Sequence, residues 1–202
     1  AYQEVDHIEP FNAVTKYNAP VNTVEEFPLP LRQAFREATT GTPGPVHLDL
    51  SGIAGGIVSA EAELEVIVEE PFTRIPPFRP EPDISSVREA IRLLVEAKRP
   101  VIVAGGGVTA SSARQELVEL ADRLAVPVAT SLNAKQTFPY DHPLAVGVPG
   151  SYSRACANQT IAEADLVFFV GSHTGGQVTN DWRIPRPGTR IVQLDINAAE
   201  LG

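Results

Sequence analysis

The 202-residue sequence has no methionine, one cysteine and one tryptophan, and only 6% of its residues are aromatic. A lone Cys156 cannot close an internal disulfide, so the fold rests on its core, as suits a reducing compartment. No apolar run approaches the ~18 residues that a membrane-spanning helix needs. Ala1–Asp6 lacks the basic start and apolar centre of a signal peptide. A soluble, cytoplasmic chain is expected. Lys and Arg total 16 against 25 Asp and Glu, giving a net charge of −9. With no basic cluster to offset that repulsion, neither nucleic acid nor an anionic membrane is an expected partner. His7, His47, His142 and His173 are scattered without metal-ligand spacing. There is no Gly-x-Ser-x-Gly elbow, and no carboxylate pair stands out as general acid and base. With no methionine at position 1, the chain reads as a piece of a longer one.

What is present is ordinary globular composition, 43% hydrophobic and 20% charged, arranged as alternating helices and short apolar strands. The stretch Arg99–Ser112 is the sharpest signal. Val101–Ala104 reads as a strand buried on both faces, and Gly105, Gly106 and Gly107 follow it into a helical pattern. Glycines there would let the backbone turn tightly and approach an anion. Gly105-x-Gly107-x-x-Ala110 satisfies the dinucleotide-turn pattern, but the acidic residue expected at the end of the next strand is replaced by Ser131-Leu132-Asn133, which argues against NAD. A tight turn with no ligand is the alternative.

Further strands are expected at 46–50, 126–130, 144–146, 166–170 and 190–196, with helices at 31–39, 111–124 and 153–164. Pro28 and Pro30 are expected to break the turns before Leu31. Ser86-x-x-Glu89 reads as a capping box, with Ile84, Val87, Ile91, Leu94 and Val95 on one inward face. Glycine, glutamate and then spaced prolines make 51–83 a connector between residues 1–50 and 84–202. The fold expected is α/β, a doubly wound parallel sheet with helices on both faces. Ligands of such sheets bind beyond the strand carboxyl ends, which collects 105–107, 130–132, 171–173 and 195–197 along one rim. Cys156 reads as a small buried residue, Trp182 as a packing anchor or interface residue, and Asp195 as either bonded to loop amides or placed for nucleotide hydroxyls.

Ordered motifs then carry a resemblance. Tyr2–Asp6, Thr15-Lys-Tyr-Asn18, Ala34-Phe-Arg-Glu-Ala38 and Gly41–Asp49 resemble the end of the pyrimidine-binding domain of acetolactate synthase-like thiamine-diphosphate enzymes. Lys98–Gly107, Phe138–Leu144, Ala162–Val167, Leu194–Asn197 and Ala199–Gly202 are similar to their Rossmann-like central domain. The resemblance implies a lyase or carboligase that uses thiamine diphosphate as an electron sink on a 2-oxo acid or related carbonyl substrate. It also implies a homodimer or homotetramer completed by further domains of the same polypeptide. The glutamate that activates the cofactor should precede Ala1, and the Gly-Asp-Gly…Asn motif that holds Mg2+ and diphosphate does not occur, so the piece alone is expected to be inactive. Gln3 matches a family position near the active site. By position, Gly105, Gly106, Gly107, Thr130, Leu132, Gly171, Ser172, Asp195 and Ile196 are the residues that would contact FAD or ADP in the central domain. Val148-Pro149-Gly150 and Gly171–Gln177 stand where flavin-binding members carry Met-His-Gly and an arginine-containing loop, which argues against bound FAD. The competing reading is a non-catalytic, nucleotide-binding or purely architectural α/β domain.

Overall fold

Val101 and Val103 lie in one apolar layer of the larger sheet, while Ile102 and Ala104 lie in the other, so this strand is buried on both faces. The computed structural model describes residues 5–50 and 61–202 and divides into two units, Ala1–Arg79 and Pro80–Gly202. Gln3 and the glycines at 52, 55 and 56 lie outside the described residues.

In the first unit, helix α1 (Ile8–Asn12) precedes strand β1 (Tyr17–Val21), helix α2 (Pro28–Thr39) and strand β2 (Val46–Leu50). The two strands pair in parallel, with Tyr17 opposite Val46 and Val21 opposite Leu50. Contrary to expectation, Pro28 and Pro30 do not break the helix. They sit in its first turn, where a backbone N–H has no intrahelical acceptor to lose. Of the connector expected at 51–83, residues 61–79 belong to this unit and residues 80–83, with Pro80 and Pro82, to the second. Glu69 accepts from Arg32 and from both arms of an Arg36 fork, and the Arg36 guanidinium lies 4.9 Å from the centre of the Phe72 ring.

The second unit runs α3 (Ile84–Glu96), β3 (Pro100–Ala104), α4 (Gly106–Ala110), α5 (Arg114–Leu124), β4 (Val128–Thr130), β5 (Ala145–Gly147), α6 (Ala155–Glu163), β6 (Leu166–Val170) and β7 (Arg190–Leu194). The sheet order is β5-β4-β3-β6-β7, all neighbours parallel. One layer packs Leu94 of α3 with Leu117 and Ala121 of α5 on Ile102, Val128, Leu166 and Phe168. The other packs Ile161 of α6 with Val178 and Ile184 on Val101, Val103, Val167 and Phe169. This is the expected doubly wound α/β sheet, with its order reversing between β3 and β6.

Three local expectations need correction. The cap of α3 is Asp83, not Ser86: the Asp83 carboxylate accepts from the Ser86 N–H at 2.8 Å and from the Ser85 and Ser86 hydroxyls, while Glu89 pairs with Arg92. A charged carboxylate at the positive end of a helix outcompetes a hydroxyl three residues on, and the Ser85 hydrogen bond leads those holding Asp83 below its ordinary range. The inward face of α3 is also rotated. Leu94 is buried, but Ile84, Ile91 and Val95 form an exposed stripe at its side. Finally, the helix expected at 111–124 begins only at Arg114, because Ser112 takes a left-handed conformation (φ 57°) that separates it from the short α4 before it.

Candidate functional site at the strand carboxyl ends

The reversal between β3 and β6 brings the turns that follow them side by side. The Gly105 N–H donates to the Val170 carbonyl and the Gly107 N–H to the Gly171 carbonyl, both at 2.9 Å. On the far side, the Gly171 N–H reaches the Leu194 carbonyl at 2.7 Å, joining β7 to the same corner. The glycines here are required by contact between backbones. A Cβ on Gly105 would lie 2.2 Å from the Gly171 oxygen, and one on Gly107 would lie 2.7 Å from the Gly171 Cα. Gly106 differs: its Cβ would meet nothing within 4 Å. Its N–H has no acceptor among the described residues.

The remaining candidates ring this corner. Thr130 is buried at the end of β4, and the Ser131 N–H ties that end to the Ala104 carbonyl at 2.9 Å. Leu132 opens a 3-10 segment, Leu132–Thr137, which joins α4 through the Thr109 and Thr137 hydroxyls at 2.9 Å. Ser172 is buried beside Gly105. Asp195 turns its carboxylate to the Asn197 N–H at 2.9 Å, the loop-amide arrangement of the two considered, and Ile196 is 48% exposed. His173 pairs with Glu200 at 2.9 Å.

The two segments that depart from the flavin-binding pattern meet each other. The Ser151 N–H donates to the Gln177 carbonyl at 2.9 Å, and a Cβ on Gly150 would lie 1.7 Å from that carbonyl oxygen. Asn158 of α6 clamps the near side, accepting from the Gly150 N–H at 2.7 Å and donating to the Gly150 carbonyl and the Ser153 hydroxyl. Sequence reading missed Asn158, since an asparagine inside a helix carries no signal of what it reaches. Trp182 ends a run of three left-handed residues, Asn180, Asp181 and Trp182 (φ 52–62°), and is 71% exposed, so it is no packing anchor within this unit. Cys156 is exposed rather than buried, its thiol directed to the Val146 carbonyl, and Ala157 takes the buried position instead.

These residues suit a diphosphate poorly. Of the three glycine amides that could cradle one, two are spent on Val170 and Gly171, and only Gly106 is open. Neither Val148–Gly150 nor Gly171–Gln177 contains an arginine or lysine.

A doubly wound parallel sheet with glycine turns touching at its reversal point defines the class: a Rossmann-like α/β domain preceded in sequence by a second α/β unit. The family profile "Thiamine pyrophosphate enzyme, central domain" matches residues 87–202, and the chain belongs to that family. Over its whole length it is 38% identical to a probable acetolactate synthase large subunit of Methanocaldococcus jannaschii and covers 34% of that protein. It is likewise 36% identical to the acetolactate synthase large subunit of Corynebacterium glutamicum, covering 32%. With the acetolactate synthase isozyme 1 large subunit of Escherichia coli it shares 34% identity and covers 34%. The chain thus spans about a third of the curated relatives it matches. Among the described residues, no helix is long and apolar enough to cross a membrane.

Proposed function

We propose that this chain is the central domain, with the adjoining end of a pyrimidine-binding domain, of an acetolactate synthase-type carboligase acting on a 2-oxo acid. The observation that carries this reading is 38% identity over an alignment that covers the whole chain, both units included, to a probable acetolactate synthase large subunit. Thiamine diphosphate, when bound with Mg2+, supplies the nucleophilic carbon and the electron sink. The residues that would hold them lie outside this sequence, which contains no Gly-Asp-Gly motif. This chain's own contribution is positional. The buried sheet of the second unit makes a rigid spacer, and the first unit carries one pair of parallel strands into the cofactor-binding domain. FAD or ADP is not part of this reading, because one of the three glycine amides is open and neither Val148–Gly150 nor Gly171–Gln177 carries an arginine or lysine.

The test uses the full-length polypeptide. With thiamine diphosphate, Mg2+ and pyruvate it should release CO2 and form acetolactate, and omission of thiamine diphosphate should abolish both. Pyruvate consumption without that cofactor, or none with it, would overturn the proposal. The architectural role has a separate readout: purified chain should lack a flavin absorbance band, and its melting temperature should not move with FAD or ADP. A shift with either would return the glycine corner to a binding role.

A further inference from the structure

His142 lies in the segment that leads into β5, and its side chain is 17% exposed, against 53% for His7 and 68% for His173. Every polar group of the residue is committed. Its backbone N–H donates to the Pro139 carbonyl at 3.3 Å, its carbonyl accepts from the Ala145 N–H at 2.9 Å, and its ring Nδ1 accepts from the Leu144 N–H at 3.2 Å. A backbone N–H can only donate, so Nδ1 presents a lone pair and the proton of the neutral ring is on Nε2, 3.2 Å from the Asp122 carboxylate of α5. The Phe138 ring packs against the imidazole, centroids 4.8 Å apart. Asp122 is the charged group that faces the ring; among the described residues no ion pair or hydrogen bond brings another to it. These bonds fix the entry to β5. The Leu144 carbonyl accepts from the Val128 N–H of β4 at 2.8 Å, and Ala145 begins β5, the outer strand of the five.

We propose that His142 is a proton-operated latch on β5, closed by the neutral ring and released by the charged one. Uptake of a proton at Nδ1 makes both ring nitrogens donors. Nδ1–H then confronts the Leu144 N–H, two donors with no acceptor between them, while Nε2–H keeps the Asp122 carboxylate. The Leu144 N–H turns to solvent, its carbonyl loosens from Val128, and β5 frays from β4. The change stops at Gly150, which Asn158 clamps independently, and β3 and β6, buried on both faces, are untouched. Histidine is the side chain that changes charge between about pH 5 and 8, so the latch is closed at the upper end of that range and open at the lower. The inference stands on the geometry of the second unit and is independent of the carboligase reading.

Hydrogen exchange of the full-length polypeptide, read by mass spectrometry and corrected for the intrinsic pH dependence of amide exchange, tests this. Peptides over residues 140–147 should lose at least ~5-fold in protection between about pH 8 and 5.5, while those over 101–104 and 166–170 keep theirs. His142→Gln, which takes up no proton, should remove the difference between the two pH values. His173→Gln, at the exposed histidine of the same unit, should retain the parent's loss. In 15N-histidine-labelled protein, the His142 ring should show the Nε2–H tautomer at the upper pH. That tautomer and the parent's own profile decide the matter even where His142→Gln does not fold. An Nδ1–H tautomer, unchanged protection over 140–147 in the parent, an equal loss in His142→Gln, or a loss shared by β3 and β6 would each overturn the proposal.

Discussion

The two parallel sheets of this chain are built from similar sequence and held by different physics. Pro43-Gly-Pro-Val-His-Leu-Asp-Leu50 and Pro187-Gly-Thr-Arg-Ile-Val-Gln-Leu-Asp-Ile196 even share their strand entry. Yet β3 and β6 of the second unit are buried on both faces, whereas in β1 and β2 only Val21 is fully buried. The first unit substitutes polar joints for core. His47 bonds Asn18 at 2.8 Å and stacks on Phe11, His7 meets Asp49 at 3.1 Å, and Glu69 ties Arg32 to Arg36. A five-stranded sheet can cover its central strands with neighbours and helices; a two-stranded one cannot, so side-chain hydrogen bonds carry more of its order.

The comparison breaks most sharply at Gly105. Gly105→Val would drive a branched side chain into the Gly171 carbonyl and the Ser172 Cα, both backbone atoms that cannot yield without parting β3 from β6. A loss of about 4 kcal/mol or more is expected, read as early urea unfolding of the second unit by amide hydrogen exchange. Ile102→Ala, at a fully buried residue of the central strand, should cost about 2–5 kcal/mol in the same assay. Leu48→Ala in half-buried β2 should cost no more than about 1 kcal/mol in the first unit. Equal losses at 102 and 48 would show that the first unit has as much core as the second.

What the sequence revealed follows the same division. Strands 101–104 and 166–170 were legible because burial on both faces writes an uninterrupted apolar run, and the doubly wound order followed from their alternation with helices. The inward face of α3 was not. Ile84, Ile91 and Val95 satisfy a helical period as well as Leu94, Leu93 and Ala97 do, and only packing decides which stripe turns in. At the site, the glycine pattern located the corner but not its use. Gly105, Gly106 and Gly107 look alike in sequence, and what separates them is the turn at Val170 and Gly171, more than 60 residues away, whose carbonyls take the amides of Gly105 and Gly107.

The polar joints of the first unit predict an acid-sensitive half. Hydrogen bonds from Arg36 first, then Arg32, hold the Glu69 carboxyl down at about 2, from an ordinary value of 4.5. A carboxyl depressed in the folded state contributes stability that is full above its unfolded value and is lost as pH falls through the folded one. The first unit should therefore weaken between about pH 4.5 and 2, and Glu69→Gln should flatten that dependence while lowering stability at pH 7. Because the pair is solvent-accessible, the effect should shrink in high salt. Hydrogen exchange of α2 against pH checks it. A wild-type profile matched by Glu69→Gln would remove this joint from the account.

The smallest effect is the most diagnostic, since it separates the three glycines of one turn. Gly106 begins α4, its added Cβ meets open space, and its N–H has no acceptor among the described residues. Gly106→Ala should therefore raise stability by about 0.4–1 kcal/mol through the unfolded chain's lost freedom, opposite in sign to any substitution one residue earlier. Gly106→Pro sharpens the point, because proline suits the first helical position and removes the open amide. If the corner is architectural, Gly106→Pro folds with a melting temperature within a few degrees of the parent and the full-length polypeptide keeps its thiamine-diphosphate-dependent turnover. If the amide holds a nucleotide diphosphate, the same variant folds but loses a thermal shift that FAD or ADP gives the parent. A parent that shifts and a Gly106→Pro variant that does not would assign the corner to ligand rather than to packing.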